Sequence, residues 1–213
     1  MYEDNHLIAV VKPSGVLTQG DITGDRCLMD EVKLHLKEKY KKPGNVFLGL
    51  LHRLDRPASG IVLFAKTSKG ASRLSEQFRN RTIEKTYHAL VLGKPKENRG
   101  MLVNYLAKDR QRKIAIAGED RAELFYEVIS SSGKYSLLKI KIKTGKFHQI
   151  RIQLASAGYP ILGDVKYGAP SPLPDKSICL CATSISFLPA VALAEEGKKT
   201  ISIPVPADWK KHI

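Results

Sequence analysis

The stretch Leu50–Lys66, LLHRLDRPASGIVLFAK, places one carboxylate, Asp55, between Arg53 and Arg56 and follows it with Pro57, Ala58, Ser59 and Gly60. An unbroken apolar run, Ile61 to Ala65, comes next. A proline and a glycine bracketing two small residues read as a tight turn. A short apolar run behind a turn reads as a strand buried on both faces. The pattern predicts an acid held at a turn against a core strand. Exposed ion pairs between that acid and its neighbours would each be worth well under ~1 kcal/mol. A loop with surface ion pairs is one reading of the arrangement and a carboxylate kept ionised for chemistry is the other, and the rest of the sequence decides between them.

Outward from this stretch, residues 6–12 read as a short buried strand punctuated by Pro13, Ser14 and Gly15. Met29, Val32, Leu36 and Tyr40 recur at helical spacing, with Lys33, Lys37, Lys39, Lys41 and Lys42 elsewhere on that helix and Gly44 ending it. Ser68 is read as the N-cap of a helix to about Asn80 whose inner face carries Leu74 and Phe78. A strand from Ile83 to Leu92 closes at Gly93-Lys94-Pro95, and further strands fill residues 100–143, broken by Gly118 and Ser131-Ser132-Gly133. Lys139, Lys141 and Lys143 alternate with Ile140 and Ile142, so a pleated strand would show three cations on one face. His148–Ala157 reads as a helix stopped by Gly158-Tyr159-Pro160. Two last strands, Cys179–Leu188 and Thr200–Val205, are joined through Glu196-Gly197-Lys198. Many strands and few helices, without βαβ alternation, predict an α+β fold.

Composition narrows the function classes. The chain has 213 residues and is 43% hydrophobic, enough to bury a core as one domain with at most a small lobe. It holds no apolar run long enough to span a bilayer and no basic-then-apolar start of a secretory signal. The three cysteines, Cys27, Cys179 and Cys181, are odd in number and lack a CxxC pair, which argues against a disulfide framework or a zinc site and for a reducing, cytoplasmic setting. Lys and Arg total 35 against 21 Asp and Glu, a net charge of +14. A field of that sign and size favours a polyanionic partner, nucleic acid or an anionic membrane surface, although a merely soluble basic protein has the same charge.

Four segments stand out together: YEDNHLIAVVKPSGVLTQGD from Tyr2, HRLDRPASG from His52, IEKTYHALVLG from Ile83, and TGKFHQIRIQLASAGYPILGDVKYG from Thr144. In this order they resemble the RluA-type pseudouridine synthases, which isomerise uridine to pseudouridine in ribosomal or transfer RNA. The resemblance runs from about Tyr2 to Trp209. It implies a mixed, mostly antiparallel sheet with flanking helices and a central catalytic cleft, working without cofactor or metal. The catalytic acid of the HRLD motif matches Asp55, the active-site tyrosine two residues after a lysine matches Tyr87, and the arginine ending HQIR matches Arg151. Arg53 matches the arginine that helps displace the target nucleotide. His52, Lys146, His148 and Gln149 complete the substrate-binding set, with the two histidines read as hydrogen-bonding scaffolds rather than general bases. Lys12 either binds phosphate or caps its strand. The first motif begins at Tyr2, so no S4-type RNA-binding domain is expected ahead of the single catalytic domain, and the chain is expected to act as a monomer on a structured rRNA or tRNA stem-loop, with no membrane partner.

The chemistry suits these residue types. Isomerising uridine breaks the C1′–N1 bond, turns the uracil and rejoins it through C5, with no redox change. An ionised carboxylate attacks the sugar carbon or removes a proton from the sugar. Burial under a base raises an aspartate pKa and a nearby arginine opposes that shift, the role expected of Arg151 toward Asp55. Tyr87 offers a flat ring and a hydroxyl, while a planar guanidinium at Arg53 would fill the space of a base flipped from its stack. Each of these has a plain structural alternative: a loop ion pair for Asp55, a core aromatic for Tyr87, a surface helix position for Arg151 and a turn brace for Arg53. A catalytically silent RNA-binding protein on the same fold is the second reading. A metal-dependent nuclease on His52, Asp55 and His148 is a third, weakened by the lack of further carboxylates nearby.

Three positions depart from the family pattern. Ala58 stands where threonine is usual, Lys146 where arginine is usual, and Cys181 where a histidine often occurs. None touches Asp55, Tyr87 or Arg151.

Overall fold

Strand formation in the amino-terminal third follows the apolar runs closely. In the computed structural model, which describes residues 2–189 and 197–212, β1 (Tyr2–Glu3) and β2 (Leu7–Lys12) lead through a long loop to helix α1 (Leu28–Lys39). Short β3 (Gly49–Leu50), β4 (Ser59–Ala65) and helix α2 (Ser68–Arg79) follow. Then come β5 (Glu84–Leu92), β6 (Arg99–Asp109), β7 (Ile114–Ala117), β8 (Asp120–Ser131) and β9 (Tyr135–Ile142). Helix α3 (Gln149–Ser156), β10 (Leu180–Phe187) and β11 (Lys199–Ser202) complete the order. The class is α+β, with a mostly antiparallel sheet and three α-helices, as the sequence predicts.

The backbone divides into two units, Met1–Ile83 with Ser184–Ile203, and Glu84–Thr183 with Pro204–Ile213. In the first, β2 pairs antiparallel with β4 from Leu7↔Ala65 to Lys12↔Gly60, which sets the end of β2 beside the turn after Asp55. Gly60 adopts φ 120, a conformation that L side chains rarely reach, so the turn into β4 needs glycine there. Ile61 to Ala65 are all buried, because β4 is covered on both faces. Leu7, Ala9, Ile61, Leu63 and Leu74 form one core with Ile185 and Phe187, and Phe78 packs at its margin. In the second unit the strand order is β5-β9-β8-β6-β7, and α3 packs against β6 and β7.

Several boundaries differ from the sequence reading. The helix expected to run to Gly44 ends at Lys39 with Tyr40 as its C-cap, and Lys41 follows at φ 48, so Lys41 and Lys42 lie beyond it. Thr67, not Ser68, is the N-cap of α2, its hydroxyl accepting from the Gly70 amide. The last strand stops at Ser202 rather than Val205, since Pro204 and Pro206 offer no N–H to a ladder. Glu196, expected in the preceding connection, lies outside the described residues. No helix among the described residues is long and apolar enough to cross a membrane.

Candidate active site

Asp55 sits in the loop before β4, and the peptide groups on either side of it are clamped. On one side the Thr18 hydroxyl donates to the Leu54 carbonyl at 3.0 Å and accepts from the Leu54 amide at 3.1 Å. On the other, the Arg56 carbonyl accepts from the Gly15 amide at 2.8 Å and from Lys12 Nζ at 3.1 Å. The Asp55 carbonyl itself accepts from the Ala58 amide, closing the turn. A backbone held in this way aims the carboxylate it carries. Arg56 is a surface and backbone contact: its Nε donates to Gly15 O at 2.9 Å and it pairs with Asp25 at 2.8 Å. Arg53 is exposed. His52 accepts from the Leu63 amide at 3.0 Å and its ring stacks on Phe78, so it buttresses β4.

Lys12, left open by the sequence, has no exposed surface and is therefore no phosphate contact in this fold. Its ammonium donates to the carbonyls of Pro13, Val16 and Arg56 at 2.9, 2.7 and 3.1 Å, tying the loop after β2 to the loop that carries Asp55. Burial pulls the Lys12 pKa down to about 8, the Asp55 carboxylate opposing the fall and Arg56 assisting it. Lys12 is thus a cation that senses Asp55 within the first unit.

Replacing it by methionine takes one donor from each of three carbonyls, of which the Arg56 carbonyl keeps the Gly15 amide, and is expected to cost about 2 kcal/mol of stability by urea unfolding. The sign of the pH effect also follows. A lysine with a folded pKa of about 8 against an ordinary 10.5 binds fewer protons folded than unfolded between those values. Its contribution therefore makes stability rise with pH across that window. Lys12→Met should lose this rise, read as melting temperature against pH.

In the second unit, α3 is entered through a tightly held loop. Gln149 is buried, its Oε1 accepting from the Thr144 hydroxyl at 2.8 Å and the Lys146 amide at 3.0 Å while its Nε2 donates to Glu123 O. Those contacts are internal and shape the loop. Lys146 pairs with Asp120 at 2.9 Å and keeps a third of its side chain exposed. His148, the N-cap, holds the left-handed conformation at φ 50, uncommon for a residue with a side chain. Its Nδ1 lies 2.8 Å from the Tyr167 hydroxyl and its ring stacks on Phe147.

Arg151 is only 4% exposed, so it is not a surface helix position. Its Nε and Nη2 donate to the two oxygens of Asp164, each at 2.7 Å, and its guanidinium lies 4.9 Å over the Tyr167 ring. Asp164 is itself 1% exposed. A single turn of 3-10 helix, Val165–Tyr167, presents both groups, with Tyr167 and Ala169 amides donating to the Asp164 carbonyl. The geometry holds one buried guanidinium flat by a bidentate fork and an aromatic face.

On β5, Tyr87 is 7% exposed and sits opposite Ile140 of β9. Lys85, two residues earlier on the same face, reaches Gly145 with its Nζ 3.6 Å from where a β-carbon would stand there, and burial lowers its pKa. The register also places the lysines of β9. Lys139 and Lys141 flank Ile140, so they occupy the sheet face opposite Tyr87, Lys141 level with Phe125 of β8.

The sequence matches the family described as RNA pseudouridylate synthase over residues 6–156. The chain belongs to that family. It is 34% identical to the ribosomal large subunit pseudouridine synthase C of Buchnera aphidicola, an alignment covering all of this chain and 69% of that protein. It is 32% identical to the ribosomal large subunit pseudouridine synthase D of Nitrosomonas europaea, covering 91% of this chain and 55% of that one. The human protein described as RNA pseudouridylate synthase domain containing 4 shares the fold, with a TM-score of 0.77 at 22% identity over 98% of this chain and 89% of that chain. The enzyme is an isomerase that converts uridine in RNA to pseudouridine.

Sequence reasoning about this enzyme passed over Thr18, Asp164 and Tyr167, although all three lie inside the segments it quoted. A usable signal existed for Asp164, a lone acid directly after Ile161-Leu162-Gly163 and before Val165, where an unpaired charge would be costly to bury.

Proposed function

We propose that the enzyme isomerises uridines of large-subunit ribosomal RNA, with Asp55 as the nucleophile at C1′ or the base at the sugar. The observation that carries the assignment of Asp55 is its loop: both neighbouring peptide groups are clamped, by Thr18 and by Lys12 with Gly15, and a buried ammonium senses the carboxylate. Both routes require the carboxylate in its ionised form. Tyr87 supplies a ring for the extruded uracil and a hydroxyl for proton handling, Arg151 a fixed cation, and exposed Arg53 a guanidinium to stack in the flipped base's place. Lys146 lies close enough to solvent to meet phosphate, and His52, His148 and Gln149 serve by shaping the loops that present the others. The names of the synthase C and synthase D relatives support ribosomal RNA over transfer RNA. The enzyme acts as a monomer on a structured stem-loop in the cytoplasm, a setting that agrees with three buried, reduced cysteines.

The test is incubation of the purified chain with unmodified transcripts of large-subunit rRNA and of a set of tRNAs, followed by mapping of pseudouridine. Site-specific product in the rRNA transcript is expected. Product confined to tRNA would overturn the substrate assignment while leaving the chemistry of Asp55 intact.

A further inference from the structure

Helix α3 packs on one face of the second unit's sheet, where its Gln153 donates to Asn104 Oδ1 of β6 at 2.9 Å. The other face, followed in register across β9, β8 and β6, carries a band of large apolar side chains. Met101, Val103 and Tyr105 occupy alternate positions of β6, and Phe125 of β8 is the direct cross-strand partner of Met101. These four residues keep between 38% and 57% of their surface exposed, Tyr105 the most. Single exposed apolar residues need no explanation, whereas a contiguous band rimmed by polar groups marks a binding surface.

Charge at the rim selects the occupant. On β9, Lys141 is level with Phe125 and Lys139 is level with Glu127. Lys143, just past the end of β9, donates its amide to the Glu123 carbonyl and holds its Nζ 5.8 Å from the centre of the Phe125 ring. Both carboxylates of this face are taken up by arginines of the same face, Glu127 by Arg99 at 2.5 Å and Glu123 by Arg121 at 2.9 Å. Five cations against two carboxylates leave three positive charges, carried by the lysines beside the Phe125 ring. A second copy of the chain would bring the same charges against these, and a neutral apolar partner would bury them unpaired. A polyanion with flat apolar faces satisfies rings and lysines together. A single RNA strand has that chemistry, since every base offers a face that stacks on an aromatic ring and the phosphates run alongside.

We propose that the sheet face bearing Tyr105 and Phe125 binds a single-stranded RNA segment, its bases stacked on the two rings and its phosphates on Lys139, Lys141 and Lys143. The face lies opposite Tyr87 on the sheet, so the segment held there is distinct from the uridine being isomerised, and the site stands whatever the role of Asp55. Paired RNA hides its base faces and would gain from the lysines alone.

The test uses the full chain and a short fluorescein-labelled oligoadenylate, which holds no uridine for the enzyme to turn over. Anisotropy titrations across a salt series read the affinity. Phe125→Thr/Tyr105→Thr removes both rings and keeps strand-forming residues at exposed positions. Affinity should fall by at least about tenfold while the slope of log affinity on log salt stays at the parental value. Phe125→Tyr keeps a ring and should bind within about twofold of the parent. Lys139→Ser/Lys141→Ser should lower the slope by about 1.4, the value of two phosphate contacts on a single strand. Tyr105→Thr alone decides the stacking role should the double variant melt early. Parental affinity after loss of the rings, or a parent that does not bind the oligoadenylate, would overturn the proposal. So would a polyglutamate peptide that binds the parent more tightly than the oligoadenylate and is lost with the rings, which would assign the face to an acidic protein. A dimer in sedimentation that the ring variant abolishes would likewise overturn it in favour of a second copy.

Discussion

Asp164→Ala is expected to destabilise the chain by about 3–5 kcal/mol and to remove measurable turnover. The Arg151–Asp164 pair is almost wholly buried, with two charge-assisted bonds of 2.7 Å. Removing the carboxylate takes both of these charge-assisted bonds from a buried guanidinium, and breaking a buried pair from one side costs about that much. The loss would be read from urea unfolding. A second variant separates stability from function: Arg151→Met/Asp164→Leu fills the same space with apolar atoms. Such replacements of whole buried pairs are often neutral or stabilising, so the double variant should recover the parental midpoint within about 1 kcal/mol. Turnover should not return with it, because the fixed cation is gone. A double variant that regained both would show that the pair serves the fold alone.

Much of the fold could be read from residues 50–66 and their surroundings. The buried strand after Asp55, the helix with Val32 and Leu36 inside, and the helix ending at Gly158 follow from periodicity and from glycine and proline punctuation, which are local signals. Boundaries slipped where one side chain decides them, as with Thr67 outranking Ser68 as a cap. The candidate site was legible as a set of residue types and not as a set of partners. Lys12 was left open between a phosphate ligand and a strand cap, and it is fully buried, with three carbonyls from two loops converging on it. Arg151 was singled out by its place at the end of HQIR, and its bidentate bond to Asp164, thirteen positions on and across a helix end, is a tertiary pairing that no spacing rule announces. The alternation of Lys139 and Lys141 follows the pleat of β9, whereas Lys143, expected on the same strand face, lies past the strand's end at Ile142. Which face they shared depended on the register with Tyr87, and that is set by β5–β9 pairing.

Asp55→Asn carries the largest expected effect on activity. The amide keeps the shape of the side chain and cannot ionise, so it can neither attack carbon nor take a proton from the sugar. Loss of a covalent or proton-transferring group of this kind costs about four orders of magnitude or more in turnover. The loop should survive the change, because Thr18, Lys12 and Gly15 hold it through the peptide groups of Leu54 and Arg56. RNA affinity should therefore stay within about threefold, since the backbone contacts that dominate it are untouched. Lys12 would lose the carboxylate that supports its charge, and a further fall in its pKa below about 8 is the expected side effect. Rejoining uracil through C5 expels the hydrogen at that carbon, so tritium leaving [5-³H]uridine in an rRNA transcript counts turnovers directly. With matched RNA binding for the two proteins, the parent should release tritium to completion at its target uridines and Asp55→Asn should release none above background. Release by the variant at a rate near the parent's would contradict the assignment of Asp55 as the reagent.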